Sequence, residues 1–169
     1  MSGMKLLFNG RMIKLYSENR RLPNGVRIDL ELIKHIGAVL IVPFLSRDKI
    51  VLIRQYRPVI NSYIWELPAG NINANEKPLA SAHRELAEEV GYRARTIKRS
   101  GYIYPSPGYC TEKIIIYEAR GLTKIAARPE KDEIITAKVF SRKGVDHLLR
   151  AGRIVDSKTI CGLKLAGVI

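Results

Sequence analysis

Apolar positions recur along this chain with two different periods, and the change of period marks out its elements. Residues 37–45, GAVLIVPFL, form an almost unbroken apolar run, and KIVLIRQYR follows at 49–57 after Ser46-Arg47-Asp48. Two such runs about a short polar link predict a hairpin. Upstream, RMIKLYSE and RLPNGVRIDLELI predict two strands joined by a turn at Pro23-Asn24-Gly25. YIWELPAG reads as a short strand closed by a Pro-Ala-Gly break. Between 78 and 90 the period becomes helical: at about 100° per residue, Leu79, Ala82, Leu86 and Val90 fall on one arc. Pro78 suits the first turn of that helix, and Gly91 suits the left-handed residue beyond its last.

Strands resume at TIKRSGYIY, KIIIYEARG and EIITAKVFS, with a Ser-Pro-Gly loop between the first two. Residues 142–149 and 156–165 read as helices. The order strands, helix, strands, helix with short links predicts an α+β chain, a mixed sheet flanked by helices, and not a doubly wound parallel sheet. No repeat, low-complexity tract or linker interrupts it, so residues 1–169 are expected to form one domain.

Composition changes this picture little. Apolar residues make up 46% and charged residues 27%, the balance of a soluble globule. No apolar run approaches the roughly 20 residues of a membrane span, and the start, MSGMKLLFNGR, is too short for a secretory signal. Cys110 and Cys161 fit neither a disulfide framework nor a zinc spacing, which points to a reducing cytoplasm. The formal net charge of +13 raises nucleic acid as a partner. The basic residues are scattered, however, with no aromatic-interleaved run, so a phosphorylated anion is the better expectation.

Against that basic background, with 16 Asp and Glu to 29 Lys and Arg, the helix crowds Glu85, Glu88 and Glu89 together. Like charges three and four apart on a helix repel, by roughly 0.2–0.5 kcal/mol a pair. A hard cation among them removes the conflict, and oxygen ligands suit Mg²⁺, which binds through one or two carboxylates plus substrate phosphates. Metal-assisted attack on a phosphoryl group is the chemistry this cluster suggests. A solvated acidic face is the alternative reading.

The spacing is more specific still. Gly70, five residues, Glu76, seven residues, Arg84-Glu85-Leu86, one residue, Glu88-Glu89, one residue, then Gly91 and Tyr92 resembles the Nudix box without a gap. The resemblance implies a loop-helix-loop metal site on an α/β/α sandwich that cleaves a nucleoside diphosphate linked to another moiety. It also implies roles: Glu85 and Glu89 as principal Mg²⁺ ligands (Mn²⁺ a possible substitute), Glu88 as an auxiliary ligand, and the Ala69 carbonyl as a backbone ligand. Gly70, Glu76, Arg84 and Gly91 would support the box.

The flanks resemble the Nudix sub-family that hydrolyses ADP-ribose and related nucleotide sugars. ELPAG leads into the box, Pro107 lies fifteen residues beyond Tyr92, RQYR resembles that sub-family's Arg-Gln-any-Arg segment, and IVDSKTICGL resembles its C-terminal helix. By that resemblance Arg57 reaches the diphosphate, and the loop with Gly108 and Glu112 contributes to substrate binding. A general base is sought in RPEKDEII among Glu130, Asp132 and Glu133, with Glu133 preferred and Glu88 or Glu89 as alternatives. Glu31 is expected to accept from adenine, although Leu30 stands where some members carry a stacking ring. The resemblance further implies a homodimer, with residues 1–34 in the interface as an antiparallel hairpin and residues 35–169 as the catalytic core. The expected reaction is Mg²⁺-dependent hydrolysis of ADP-ribose to AMP and ribose 5-phosphate. GDP-mannose or another nucleoside diphosphate sugar, an RNA substrate, and a non-catalytic ligand sensor are the rivals.

Overall fold

The computed structural model describes residues 4–11, 13–129 and 133–169. Three strands, β1 (Lys5–Asn9), β2 (Lys14–Arg21) and β3 (Arg27–Ile33), make an antiparallel sheet. The expected hairpin is β2–β3, with Gly25 at φ 88° in its turn. The sequence pattern missed β1, a five-residue strand with every position exposed, because KLLFN has no polar alternation to announce a half-buried strand.

The rest of the chain builds two further sheets. β4 (Ala38–Pro43), β7 (Ala69–Asn71), β8 (Tyr92–Ile103) and β9 (Ile114–Lys124) form one, in the order β7-β4-β9-β8, with β4 parallel to β9. β5 (Lys49–Arg57), β6 (Ser62–Glu66) and β10 (Ile135–Ser141) form the other, in the order β10-β5-β6. The expected β4–β5 hairpin therefore needs correcting. The tight turn exists, closed by the Leu45 N–H donating to the Lys49 carbonyl and by a Phe44–Ile50 bridge. Beyond it the two strands part and pair elsewhere. Each is apolar on both faces, so each can be sandwiched between helices instead of being paired to its neighbour in sequence.

That double-sided burial makes the layers. Val39, Ile41, Val51 and Ile53 pack against Ala82, Leu86 and Val90 of α1 (Pro78–Val90). The alternate residues Leu40, Val42, Ile50 and Leu52 pack against Val145 of α2 (Arg142–Arg150) and Leu163 of α3 (Ser157–Leu165). The result is an α/β/α sandwich with α1 on one face and α2 and α3 on the other. Helix α1 has the predicted bounds, and Gly91 follows it at φ 69°. Leu79, read as part of the buried arc, is instead 45% exposed, because it lies in the first turn before the helix meets the sheet. No helix among the described residues is long and apolar enough to cross a membrane.

Candidate active site

The acidic face of α1 is not a solvated face. Glu85 and Glu89 are buried, at 7% and 4% exposure, while Glu88 is half-buried. Burial pushes both buried carboxyls up from the usual range, Glu89 well above it, and each feels the charges of its neighbours, Glu133 included. The Ala69 N–H opposes this by donating to Glu89 Oε2 at 2.9 Å. The polypeptide thus spends burial and repulsion to hold two acids together, a cost that a bound cation would offset.

The loop ahead of the helix is built to aim them. Asn75 takes a left-handed turn at φ 64°, and Glu76 accepts from the Asn73 N–H at 3.0 Å. Arg84 then ties loop to helix: Nε and Nη2 donate to the two Glu76 oxygens at 3.0 and 3.1 Å, and Nη2 also reaches the Asn71 carbonyl. Its Nη1 meets Glu85 Oε1 at 2.6 Å and Glu88 Oε2 at 3.0 Å. The Arg84 fork holds the Glu76 carboxyl below the ordinary carboxylate range.

A divalent cation fits these residues on one further observation. A Cβ built on Gly70 would fall inside the Glu85 carboxylate, so only glycine leaves that group its place beside β7. Glu85 and Glu88 meet at Arg84 Nη1, and the charge of Glu85 reaches Glu89. Their oxygens have the donor chemistry of Mg²⁺ and not of soft metals, although among the described residues no three acidic, histidine or cysteine side chains already stand as a ligand group.

Other expected residues converge on the same region from the second sheet. Glu133 lies just before β10, near enough for its charge to act on both Glu85 and Glu89. Arg57, at the end of β5, acts on Glu89 with the opposite sign. Arg57 also lines a cleft of about 450 Å³ with Ile64, Glu66, Glu112, Asp156 and Lys158. Glu112 also faces His35, with 3.9 Å between Oε1 and Nε2. Two expected residues are not gathered in. Gly108 sits in the loop after β8 with open space around it, and Glu31 is exposed on β3 opposite Ser17. Glu130 and Asp132, weighed as bases, lie outside the described residues.

Sequence reasoning passed over Glu66, Asp156 and Lys158. Glu66 is 1% exposed at the end of β6 and accepts from both Arg57 and Lys158. A signal existed for Glu66 alone, as a single acid closing the apolar stretch YIW. Nothing local marks Lys158 as its partner.

Comparison with known proteins extends this geometry. A family model described as the NUDIX domain matches residues 34–161. A "Methanol dehydrogenase activator" of Bacillus methanolicus is 34% identical over 94% of this chain and 86% of its own. An "ADP-ribose pyrophosphatase" of Bacillus subtilis is 32% identical over 90% of this chain and 84% of its own. A crystal structure of an ADP compounds hydrolase superposes with a TM-score of 0.85 at 25% identity, covering 97% of this chain and 89% of the other.

Proposed function

The chain belongs to the NUDIX domain family, as a Nudix hydrolase, and on that footing we propose that it cleaves the diphosphate bond of ADP-ribose, releasing AMP and ribose 5-phosphate with Mg²⁺ as its cofactor. The observation that carries this reading is the nearness of the Arg57 cation, which lines the cleft, to the buried pair Glu85 and Glu89, close enough for its charge to act on Glu89. A cradle without a cation opposite would repel a diphosphate. A cation without the cradle would bind one and leave it intact.

Glu85 and Glu89, with Glu88 and the Ala69 carbonyl in support, would hold the metal, which when bound neutralises diphosphate charge and lowers the pKa of water. Arg57 grips the phosphates through a planar fork of donors. Glu133 takes the proton of the attacking water, and its nearness to both buried glutamates from the segment before β10 favours it over Glu88 or Glu89. Glu112 lines the cleft on the substrate side, and Gly108, in the same loop after β8, is kept in the reading as a substrate contact. Glu31 would reach adenine only if the N-terminal sheets are shared in a homodimer, which we include in the reading. The names of the relatives in Bacillus subtilis and among the solved structures support the adenosine diphosphate moiety. Two unpaired cysteines agree with a cytoplasmic setting.

The test is a panel of ADP-ribose, GDP-mannose, other nucleotide sugars, dinucleotides and capped RNA, each with Mg²⁺ or Mn²⁺, with products separated by chromatography. ADP-ribose is expected to show the highest kcat/KM, with AMP and ribose 5-phosphate as the only products. A higher value for GDP-mannose or capped RNA replaces the substrate. Binding without turnover of any of them makes the protein a sensor.

A further inference from the structure

Arg57 does not stand alone at the cleft. Glu66, on the neighbouring strand β6, offers one carboxylate oxygen to its Nε at 2.9 Å and to its Nη2 at 2.8 Å. The other oxygen accepts from Lys158 Nζ at 2.6 Å. Lys158 in turn meets Asp156 Oδ1 at 2.9 Å, and Asp156 Oδ2 caps helix α3 through the Thr159 N–H. A carboxylate at 1% exposure carries a heavy desolvation cost, met here by two cations. The arrangement does more than satisfy a buried charge. Glu66 takes the Nε–Nη2 edge of the guanidinium, so the Nη1 edge is the one left for a ligand.

We propose that Glu66 is a positioning residue that fixes Arg57 in the orientation a diphosphate requires, and that Lys158 fixes Glu66 in turn. The proposal rests on the reading of Arg57 as the diphosphate-binding residue. Its physical content is preorganisation. A free arginine at a strand end must surrender its rotamer freedom on binding, whereas one already held by a fork surrenders little. Because Glu66 is locked by α3 from the opposite layer, the C-terminal helix becomes part of the substrate site without touching substrate.

The test is a double-mutant cycle of Glu66→Gln, Arg57→Lys and the pair, which separates action through Arg57 from general support of the fold. Glu66→Gln is expected to raise KM for ADP-ribose by about tenfold, with kcat changed far less. In the Arg57→Lys background, where no fork remains to be held, the same change is expected to add less than about twofold. The cycle is repeated with calorimetric Kd values for inorganic pyrophosphate in Mg²⁺, expected to show the same loss of effect. Equal factors in both backgrounds, an unchanged KM, or absence of pyrophosphate binding by the parent protein overturns the proposal. Should Glu66→Gln fail to fold, Glu66→Asp, which keeps the charge and shortens the reach, takes its place in the cycle with the same expectations. A parent protein that binds pyrophosphate but leaves ADP-ribose intact refutes the substrate alone, and the pyrophosphate cycle then decides the role of Glu66.

Discussion

Arg84 holds Glu76, Glu85 and Glu88 at once, so a cation entering the cradle competes with a guanidinium for two of its ligands. Glu89 is different: its partner is a backbone N–H, which a glutamine oxygen satisfies equally. Glu89→Gln is therefore expected to keep the metal-free melting temperature or raise it, since one buried charge is gone, and to lose most turnover. The rise in melting temperature expected when MgCl₂ stabilises the parent protein, by about 2.7 kcal/mol at a hundred times Kd, should disappear in a fluorimetric melt of the variant. Wild-type turnover in this variant would remove Glu89 from the metal site. Gly70→Ala tests the cradle from the other side. The added methyl must push the Glu85 carboxylate away, and overpacking of this kind costs typically 1–3 kcal/mol. Calorimetry should show weakened Mg²⁺ binding, and an unchanged Kd would mean that Glu85 is not a ligand. At this scale much was legible. The spacing of the glutamates named them because a helix puts i, i+3 and i+4 on one side. It was silent on Glu66 and Lys158, whose contact spans 92 residues and exists only after α3 docks.

Among the elements, the junction of α3 with β6 is the most exposed to test. The Leu67 N–H donates to Thr159 Oγ1 at 2.8 Å, and Thr159 is fully buried. Thr159→Val keeps the shape and strands that donor, which costs about 1–3 kcal/mol. A denaturant titration should show a lower midpoint at unchanged slope, and a midpoint equal to that of the parent would mean that water or another group replaces the hydroxyl. Helix α1 could be bounded from sequence because its proline start and glycine stop are local signals. The partition of β4 and β5 into different sheets could not, because their apolar runs are alike and the choice of neighbour is made by β9 and β10, far along the chain. Leu79 was misplaced for a related reason. Helical periodicity reports which residues share an arc, and it does not report where along that arc the sheet ends.

At the scale of the whole molecule, β1 carries Leu6, Leu7 and Phe8 at 46%, 45% and 59% exposure, an apolar strip on a sheet that stands apart from the other two. Such a strip on an edge strand invites pairing with a second copy. Sedimentation equilibrium at micromolar concentration is expected to give a dimer, weakened by Phe8→Glu, and a monomeric parent protein would overturn this. The separation of β4 from β5 beyond the Phe44–Ile50 bridge has a mechanical meaning as well. The cradle belongs to α1 and β7, while Arg57 ends β5 of the β10-β5-β6 sheet and Glu133 leads into its β10. A ligand gripped by both is a staple across two sheets that, among the described residues, are joined by the single Phe44–Ile50 bridge and by shared side-chain packing, with no ladder between them. Its arrival is expected to stiffen one against the other. Amide exchange followed by mass spectrometry should then slow in β5 and β10 when pyrophosphate and Mg²⁺ are added together, and slow much less with either alone.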